Sequence, residues 1–309
     1  MPDYGRDLLF GAFLTPAASP PQQAVELTVA AERAGLDLAT FQDHPYQPRF
    51  LDTWTLLSYA AARTERISLA TNVLNLPLRQ PVIVARSAAS LDLLSGGRFE
   101  LGLGAGAFWE AIEAVGGERL EPGKAVNGLA EAVRIIRGVW AAGDRTPLRV
   151  DGLVHRVNGA KRGPAPAHDI GIWLGAYKPR MLRLTAETAD GWVPTLSYLR
   201  GGPADLAAMN SRIDDAAAAA GREPAAVRRL LNISGSFDST GGGLLQGPAS
   251  QWAQELSDMA LEYGISGFLL ASDSAKDLRR FGGEVAPEVR SLVASARQVR
   301  ARAVFKGDA

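Results

Sequence analysis

The chain has 309 residues, 47% of them hydrophobic, and this length allows either one large barrel-like domain or two ordinary domains. The 33 lysines and arginines equal the 33 aspartates and glutamates in number, so no net positive field favours a nucleic-acid partner. The absence of cysteine excludes disulfides and cysteine-ligated zinc and agrees with a reducing compartment. There is neither a signal-peptide pattern nor an apolar run of about 18 residues, so we expect a cytoplasmic protein with no membrane partner.

Apolar runs of strand length, each followed by a segment with apolar residues three and four apart, recur along the chain. The predicted strands are 8–14, 36–41, 67–74, 98–103, 170–174, 192–196, 227–236 and 265–270. The predicted helices are 20–34, 53–63 with Asp52 as its cap, 81–94, 125–142, 179–189, 203–220, 248–263 and 276–302, the last interrupted at 281–283. Eight such units without a composition break predict one (β/α)8 TIM-barrel domain over residues 1–309. A doubly wound open sheet is the alternative.

One stretch departs from this alternation. Residues 148–157 are typical of a hairpin that turns at Asp151-Gly152, and the glycine- and proline-rich stretch 158–167 is typical of an exposed loop. We therefore expect a hairpin and loop insertion before the fifth strand of the barrel.

Two titratable side chains, Asp43 and His44, follow the second predicted strand, which Pro45 ends. The carboxyl ends of parallel strands are where α/β proteins usually place catalytic groups, because the strand fixes them and the loop leaves them accessible. His44 is the candidate acid/base, since an ordinary histidine pKa of about 6.5 allows both protonation states near neutral pH. Asp43 would orient the imidazole or stabilise its charged form. A surface or structural histidine is the alternative.

Two glycine-containing segments follow other strands. Gly104-Ala105-Gly106 is not a Rossmann phosphate loop, because Trp109 occupies the place of the third glycine. It is either a structural turn or backbone that approaches a flat ring or a phosphate. Gly175-Ala176-Tyr177 precedes a helix that begins with proline, so its free N–H groups and the helix dipole would hold an anion, unless the segment is a solvated loop. The spacing of the histidines predicts no metal site.

Taken together, these segments resemble the bacterial-luciferase-like superfamily of flavin- and F420-dependent oxidoreductases. The similarity is carried by Phe-Gln-Asp-His after the second strand, Ala-Thr-Asn-Val-Leu in the third, and Gly-Gly-Arg-Phe-Glu-Leu-Gly-Leu-Gly-Ala-Gly in the fourth. Ala-Asp-Gly-Trp at 189–192 adds to it, and the resemblance spans nearly the whole chain. It implies a TIM barrel that binds FMN or the deazaflavin coenzyme F420 at its C-terminal rim.

The resemblance also implies roles for particular residues. His44 matches the histidine near the reactive edge of the ring, and Asp43 matches the acidic residue before it. Asn72 and Val73 fall where many members have a non-prolyl cis peptide behind the ring. The segments that hold the ring and the cofactor phosphate correspond to Ala105, Gly106, Gly175, Ala176 and Tyr177.

The Asp-His pair followed by Pro45 resembles the F420-using branch, so F420 is favoured and FMN is the alternative. The resemblance then implies hydride transfer to or from a small organic substrate. An FMN-dependent monooxygenase that uses reduced flavin and dioxygen is one alternative, and a non-catalytic cofactor-binding member is another. Sugar-phosphate dehydrogenases of the family have a glutamate directly after the Gly-x-Gly turn, where this chain has Ala107, and Glu110 comes three residues later. This departure argues against a sugar phosphate as the substrate.

The resemblance further implies packing between barrel helices, so we expect a homodimer. Trp54 and Leu57 on the second predicted helix are the candidate shared face, although the same stripe would equally fit against the barrel.

Overall fold

Parallel strands pair side by side into a closed barrel in the computed structural model, which describes residues 3–307. The barrel strands, β1 to β8, are Leu9–Leu14, Leu38–Phe41, Ser68–Thr71, Phe99–Gly104, Ile172–Leu174, Gly191–Trp192, Arg228–Ile233 and Gly267–Ala271. Each strand pairs with the next, and β8 pairs with β1, with Phe268 opposite Phe10. The predicted (β/α)8 barrel is therefore confirmed, and the open-sheet alternative is wrong.

Helices follow the strands and cover the outside of the barrel. The helices α1 to α9 are Gln23–Arg33, Thr53–Ala61, Pro81–Ser95, Pro122–Trp140, Pro179–Thr188, Asp205–Ala219, Ala249–Tyr263, Ala275–Arg280 and Ala286–Gly307. The predicted interruption at 281–283 is instead a π-helical turn, Phe281–Val285, which joins α8 to α9. Gly282 is required there, because a Cβ at this position would lie 2.3 Å from the carbonyl oxygen of Ala34. Within residues 3–307, no helix has the length and the apolar character needed to span a bilayer.

Several predicted strands are shorter than the sequence indicated, among them the second, fifth and seventh and, most clearly, the third and the sixth. The third ends at Thr71 and resumes only as the two-residue strand Leu74–Asn75, with the cis peptide Asn72–Val73 between the two pieces. The sixth is limited to Gly191–Trp192, and Pro194 follows closely, which has no N–H to donate to a neighbouring strand.

The predicted insertion before the fifth strand is confirmed. Its antiparallel strands, Leu148–Asp151 and Arg156–Ala160, form a hairpin. Residues 158–160 therefore belong to a strand and not to the predicted loop. Glu131 of α4 anchors the turn, since its carboxylate accepts the backbone N–H groups of three consecutive turn residues at 2.7, 3.0 and 2.8 Å.

Large side chains and glycines face one another inside the barrel. Trp173 and Leu38 are buried in the interior, and glycine stands on the neighbouring strand where each projects. A Cβ at Gly191 would lie 2.5 Å from Cδ1 of Trp173, and one at Gly11 would lie 3.0 Å from Cβ of Leu38. The middle of the barrel is thus filled, as is usual for this fold, and ligands are restricted to its ends.

Candidate active site

His44 projects from the loop after β2 into a group of aromatic rings. Its ring centroid lies 5.3 Å from that of Tyr46, 5.4 Å from that of Phe108 and 6.4 Å from that of Phe50. No hydrogen bond reaches either ring nitrogen from the part of the chain that the structure describes. Burial lowers the pKa of His44 below its usual value, and the nearby charge of Asp43 opposes this only in part. The imidazole is therefore neutral at pH 7, with both nitrogens available to a ligand.

Asp43 is 1% exposed, and its carboxylate is fully engaged away from His44. It accepts the backbone N–H of Asn75 at 3.0 Å and two N–H groups of Arg79, at 2.8 and 3.2 Å. No hydrogen bond between Asp43 and His44 is present among residues 3–307. The expected direct orientation of the imidazole by Asp43 is therefore not what the structure shows.

Arg79 joins the two loops that carry these residues. Besides Asp43, it donates to Oδ2 of Asp52 at 2.8 Å. The other oxygen of Asp52 accepts the N–H of Thr55 at 3.0 Å, which confirms the predicted cap of α2. The chain of contacts fixes the loop after β2, the loop after β3 and the start of α2 relative to one another.

The cis peptide that the resemblance implied is present between Asn72 and Val73. Val73 packs against glycines of the neighbouring strand: a Cβ at Gly104 would lie 2.8 Å from Cγ2 of Val73, and one at Gly102 would lie 3.2 Å from Cγ1 of Val73 and 2.1 Å from the carbonyl oxygen of Thr71. The glycines of β4 are therefore needed to admit the loop after β3 at the rim.

The turn at 104–106 follows directly, with Gly106 at a φ of +99°. A Cβ at Gly106 would also lie 2.7 Å from Cγ of Pro77. Both the conformation and the close contact exclude a larger residue. The local structure therefore requires glycine at position 106, whether or not a ligand binds there.

A buried polar group closes the top of the barrel interior. The side-chain amides of Asn72 and Asn232 exchange hydrogen bonds at 2.7 and 3.2 Å. Thr40 contacts the first amide and Thr195 the second, each at 3.2 Å. Asn72 was predicted for this site, whereas the other members were missed because they are far from it in sequence and carry no local signal.

The segment Gly175-Ala176-Tyr177 is held against β6. The hydroxyl of Tyr177 accepts the backbone N–H of Thr195 at 2.8 Å, and Trp192 donates to the carbonyl of Ala176 at 2.8 Å. Burial raises the pKa of Tyr177, so its hydroxyl stays protonated at neutral pH. Helix α5 then begins at Pro179, and no side chain caps its start. The free N–H groups expected of an anion site are thus in place.

Asn75 carries the one buried side-chain oxygen or nitrogen of the described residues that has no hydrogen-bond partner, Oδ1. The residue is 7% exposed, and its backbone N–H binds Asp43. A buried acceptor without a donor costs free energy, so it is a natural point of contact for a ligand N–H or O–H.

Two candidates lie outside this cluster. Glu110 is exposed in the first turn of the short helix Trp109–Ala114, which the sequence did not predict. Leu57 is fully buried, and Trp54 packs against Phe99 with ring centroids 5.5 Å apart. The stripe with Trp54 and Leu57 therefore faces the barrel, and its assignment as a shared dimer face is wrong. Among residues 3–307, no cluster of three metal-ligating side chains is present.

A family model described as luciferase-like monooxygenase matches residues 8–240 of the chain. The chain belongs to the luciferase-like monooxygenase family. The predicted resemblance is confirmed, and the last strand and helices of this luciferase-like barrel lie beyond the matched residues.

Proteins similar to this chain include both F420-dependent dehydrogenases and monooxygenases. An F420-dependent glucose-6-phosphate dehydrogenase of Nocardia farcinica is 32% identical over 229 residues, which are 71% of this chain and 66% of that relative. The chain thus spans slightly less than two thirds of that relative's length. A solved F420-dependent secondary alcohol dehydrogenase in complex with an F420-acetone adduct has a TM-score of 0.80 at 19% identity, covering 92% of this chain and 99% of that one. A long-chain alkane monooxygenase has a TM-score of 0.78 at 15% identity, covering 93% and 92%. At sequence identities this low, the similarity to these two structures shows the fold alone.

Proposed function

We propose that the chain is a coenzyme F420-dependent oxidoreductase that transfers a hydride to or from a small organic substrate. The observation that carries the proposal is the position of the His44 imidazole, which has no hydrogen bond within the described residues and packs against Phe108, two residues beyond the Gly104-Ala105-Gly106 turn. The Asp43-His44-Pro45 run and the F420-dependent relative support this cofactor.

The rim fits a flat ring on two observations. Gly175 has no side chain and lies beside Val73, since a Cβ there would be 3.6 Å from Cγ2 of Val73, so the surface over Val73 is open on this side. The unpartnered Oδ1 of Asn75 gives a bound N–H or O–H an acceptor. We assign Asn72, Val73, Ala105 and Gly106 to the ring, and Gly175, Ala176 and Tyr177 to the phosphate end.

Bound F420 supplies the hydride chemistry. The chain accepts or returns the proton, depending on the direction of the reaction. A neutral His44 takes the hydroxyl proton of an alcohol on a ring nitrogen as the substrate is oxidised, and the protonated ring returns it to a carbonyl oxygen in the reverse direction. Tyr46 and Phe108 pack against the imidazole and help to fix the plane of its ring. Asp43 contributes by holding the loop and does not touch the reacting atoms.

Titration of the purified chain with F420 and, separately, with FMN tests the proposal. We expect saturable quenching of F420 fluorescence and weaker binding of FMN. Tight FMN binding without measurable F420 affinity would favour a monooxygenase that uses reduced flavin and dioxygen. F420 binding without turnover on a panel of small alcohols, aldehydes and ketones would favour a non-catalytic member.

We also propose that the chain forms a homodimer, through a different face from the one the sequence indicated. Ile83 and Leu94 lie on one side of α3, because eleven residues are close to three full helical turns, and they are 61% and 88% exposed. Burial of such side chains favours association. Light scattering should give twice the chain mass of 32.7 kDa, and Leu94→Glu should give the monomer. A monomeric wild type would contradict the proposal.

A further inference from the structure

Arg79 binds both oxygens of the carboxylate that precedes His44. Its Nη2 lies 2.8 Å from Oδ1 of Asp43, and its Nε lies 3.2 Å from Oδ2. This two-point contact is the strong arrangement for an arginine and a carboxylate. Asp43 is 1% exposed, whereas the Arg79 side chain is 21% exposed, so the pair is formed at the edge of the core.

The pair has further support from both loops. Oδ2 of Asp43 also accepts the backbone N–H of Asn75 at 3.0 Å, and Arg79 also contacts Asp52 at 2.8 Å. Burial alone would lower the pKa of Arg79, but its bonds to Asp43 and Asp52 raise it above the usual value. Arg79 therefore keeps its positive charge throughout the pH range in which His44 titrates.

His44 has few charged or titratable neighbours in the described chain. Its own loop contributes Asp43 and the hydroxyl of Tyr46, whose pKa burial raises. The loop after β3 contributes Arg79, and the start of α2 contributes Asp52 through Arg79. The loop after β4 contributes the uncharged ring of Phe108. Asp43 is accordingly the charge that acts on His44.

We propose that Arg79 is a positioning residue for His44: by holding both oxygens of Asp43, it withholds that carboxylate from the imidazole and leaves both ring nitrogens free for the substrate. The inference rests on the proposed function of His44. A carboxylate with a free oxygen next to a histidine favours the imidazolium, which cannot accept a proton. Arg79 thus keeps a larger fraction of His44 in the neutral form, which can act as a base, near neutral pH.

The pKa of His44 can be measured directly in the full-length chain without added cofactor. The sequence has three histidines, so the ring nitrogens of His44 are assigned in ¹⁵N-labelled protein by comparison with His44→Gln. A pH titration by NMR is then run on the wild type, Arg79→Met, Asp43→Asn and the double variant. The full cycle separates an effect that passes through Asp43 from a direct effect of the arginine charge.

In Arg79→Met we expect the pKa of His44 to rise by about one unit, because Asp43 is left without its partner. The rise should disappear when Arg79→Met is made in the Asp43→Asn background. Asp52→Asn is the matched control: asparagine still caps α2, and Arg79 stays on Asp43, so the pKa of His44 should remain that of the wild type.

An unchanged pKa in folded Arg79→Met, or an equal rise in both backgrounds, would overturn the proposal. If Arg79→Met does not fold, Arg79→Lys takes its place, since an ammonium group cannot bind both oxygens in the same way. That variant should raise the pKa by a smaller amount, and no rise would again overturn the proposal. Because the measurement needs no cofactor, failure of F420 binding would remove the proposed function and leave this result standing.

Discussion

His44→Ala is expected to lower turnover by about 10²–10⁴-fold while changing F420 affinity by only a few-fold. The imidazole makes no hydrogen bond that holds the loop within the described residues, and its ring is packed against Tyr46 and Phe108. Its removal therefore takes away the proton acceptor without releasing the segments assigned to the ring and phosphate. The variant should therefore lose turnover while it keeps its affinity for F420.

The measurement is single-turnover reduction of F420 by an alcohol substrate, followed at the F420 absorbance, together with fluorescence titration of cofactor affinity. His44→Asn is the closer test, because an amide keeps some polar character but cannot take up a proton near pH 7. The wild-type rate in the oxidation direction should fall as pH drops through the pKa of His44, which lies below its usual value because of burial. His155→Gln, in the hairpin insertion, is the control and should be unchanged. Normal turnover in both His44 variants would remove this residue from the mechanism.

The barrel itself was readable from the sequence because its signals are local. Strand-length apolar runs, helices that begin with proline at Pro81 and Pro179, and the Asp52 cap each act within a few residues. Gly96 ends α3 in the left-handed conformation, at a φ of +72°, as a glycine after a helix predicts. Eight repeats of such signals leave few topologies open.

The contacts within the site could not be read in the same way. Arg79 lies 36 residues from Asp43, and Asn232 lies 160 residues from Asn72, so no local pattern links them. An arginine in a loop is usually solvated, so nothing in the sequence identified Arg79 as the partner of Asp43. The position of Asp43 and His44 at a strand end was predictable, but which of their neighbours would take up the carboxylate was not.

The helix stripe that contains Trp54 and Leu57 shows a second limit. Helical periodicity identifies an apolar face, but it does not say whether the barrel or another subunit covers that face. In the structure the barrel covers it. Ile83 and Leu94 are exposed on α3. They could not be recognised from the sequence, because this helix has apolar residues on several sides.

Glu100 is a third case, since an acidic residue in a strand would ordinarily face water. It lies in β4 near the N-terminal end of the barrel, where its Oε2 accepts the N–H of Gly171 at 2.6 Å and its Oε1 lies 3.5 Å from Nε2 of His168. His168 is held in turn by the buried Asp92, whose Oδ1 lies 2.8 Å from its Nδ1. The carboxyl group of Glu100 therefore joins β4 to the segment that enters β5.

Glu100→Gln is expected to remove a pH dependence from the stability of the protein. Burial raises the pKa of Glu100 to about 7, although the N–H of Gly171 and the neighbouring His168 act to lower it. The unfolded chain releases the same proton at the ordinary value of 4.5, so between these two values the folded state holds more protons than the unfolded state. The stabilisation from neutral Glu100 is therefore complete below pH 4.5 and is lost as pH rises through about 7.

The free energy of unfolding of the wild type should fall by about 1.4 kcal/mol per pH unit between the two pKa values, which is a loss of roughly 3 kcal/mol between pH 4.5 and pH 8. Urea unfolding of the wild type and of Glu100→Gln at several pH values in this range gives the free energy of unfolding of each. From pH 4.5 to pH 8, the free energy of unfolding of Glu100→Gln should rise by roughly 3 kcal/mol relative to that of the wild type. The reason is that glutamine keeps an acceptor for Gly171 but has no proton to release. Glu131→Gln is the matched control, because the pKa of Glu131 is lowered by its bonds to the hairpin turn and its effect falls below pH 4.5. A constant difference between Glu100→Gln and the wild type from pH 4.5 to pH 8 would show that Glu100 is already ionised in the folded protein.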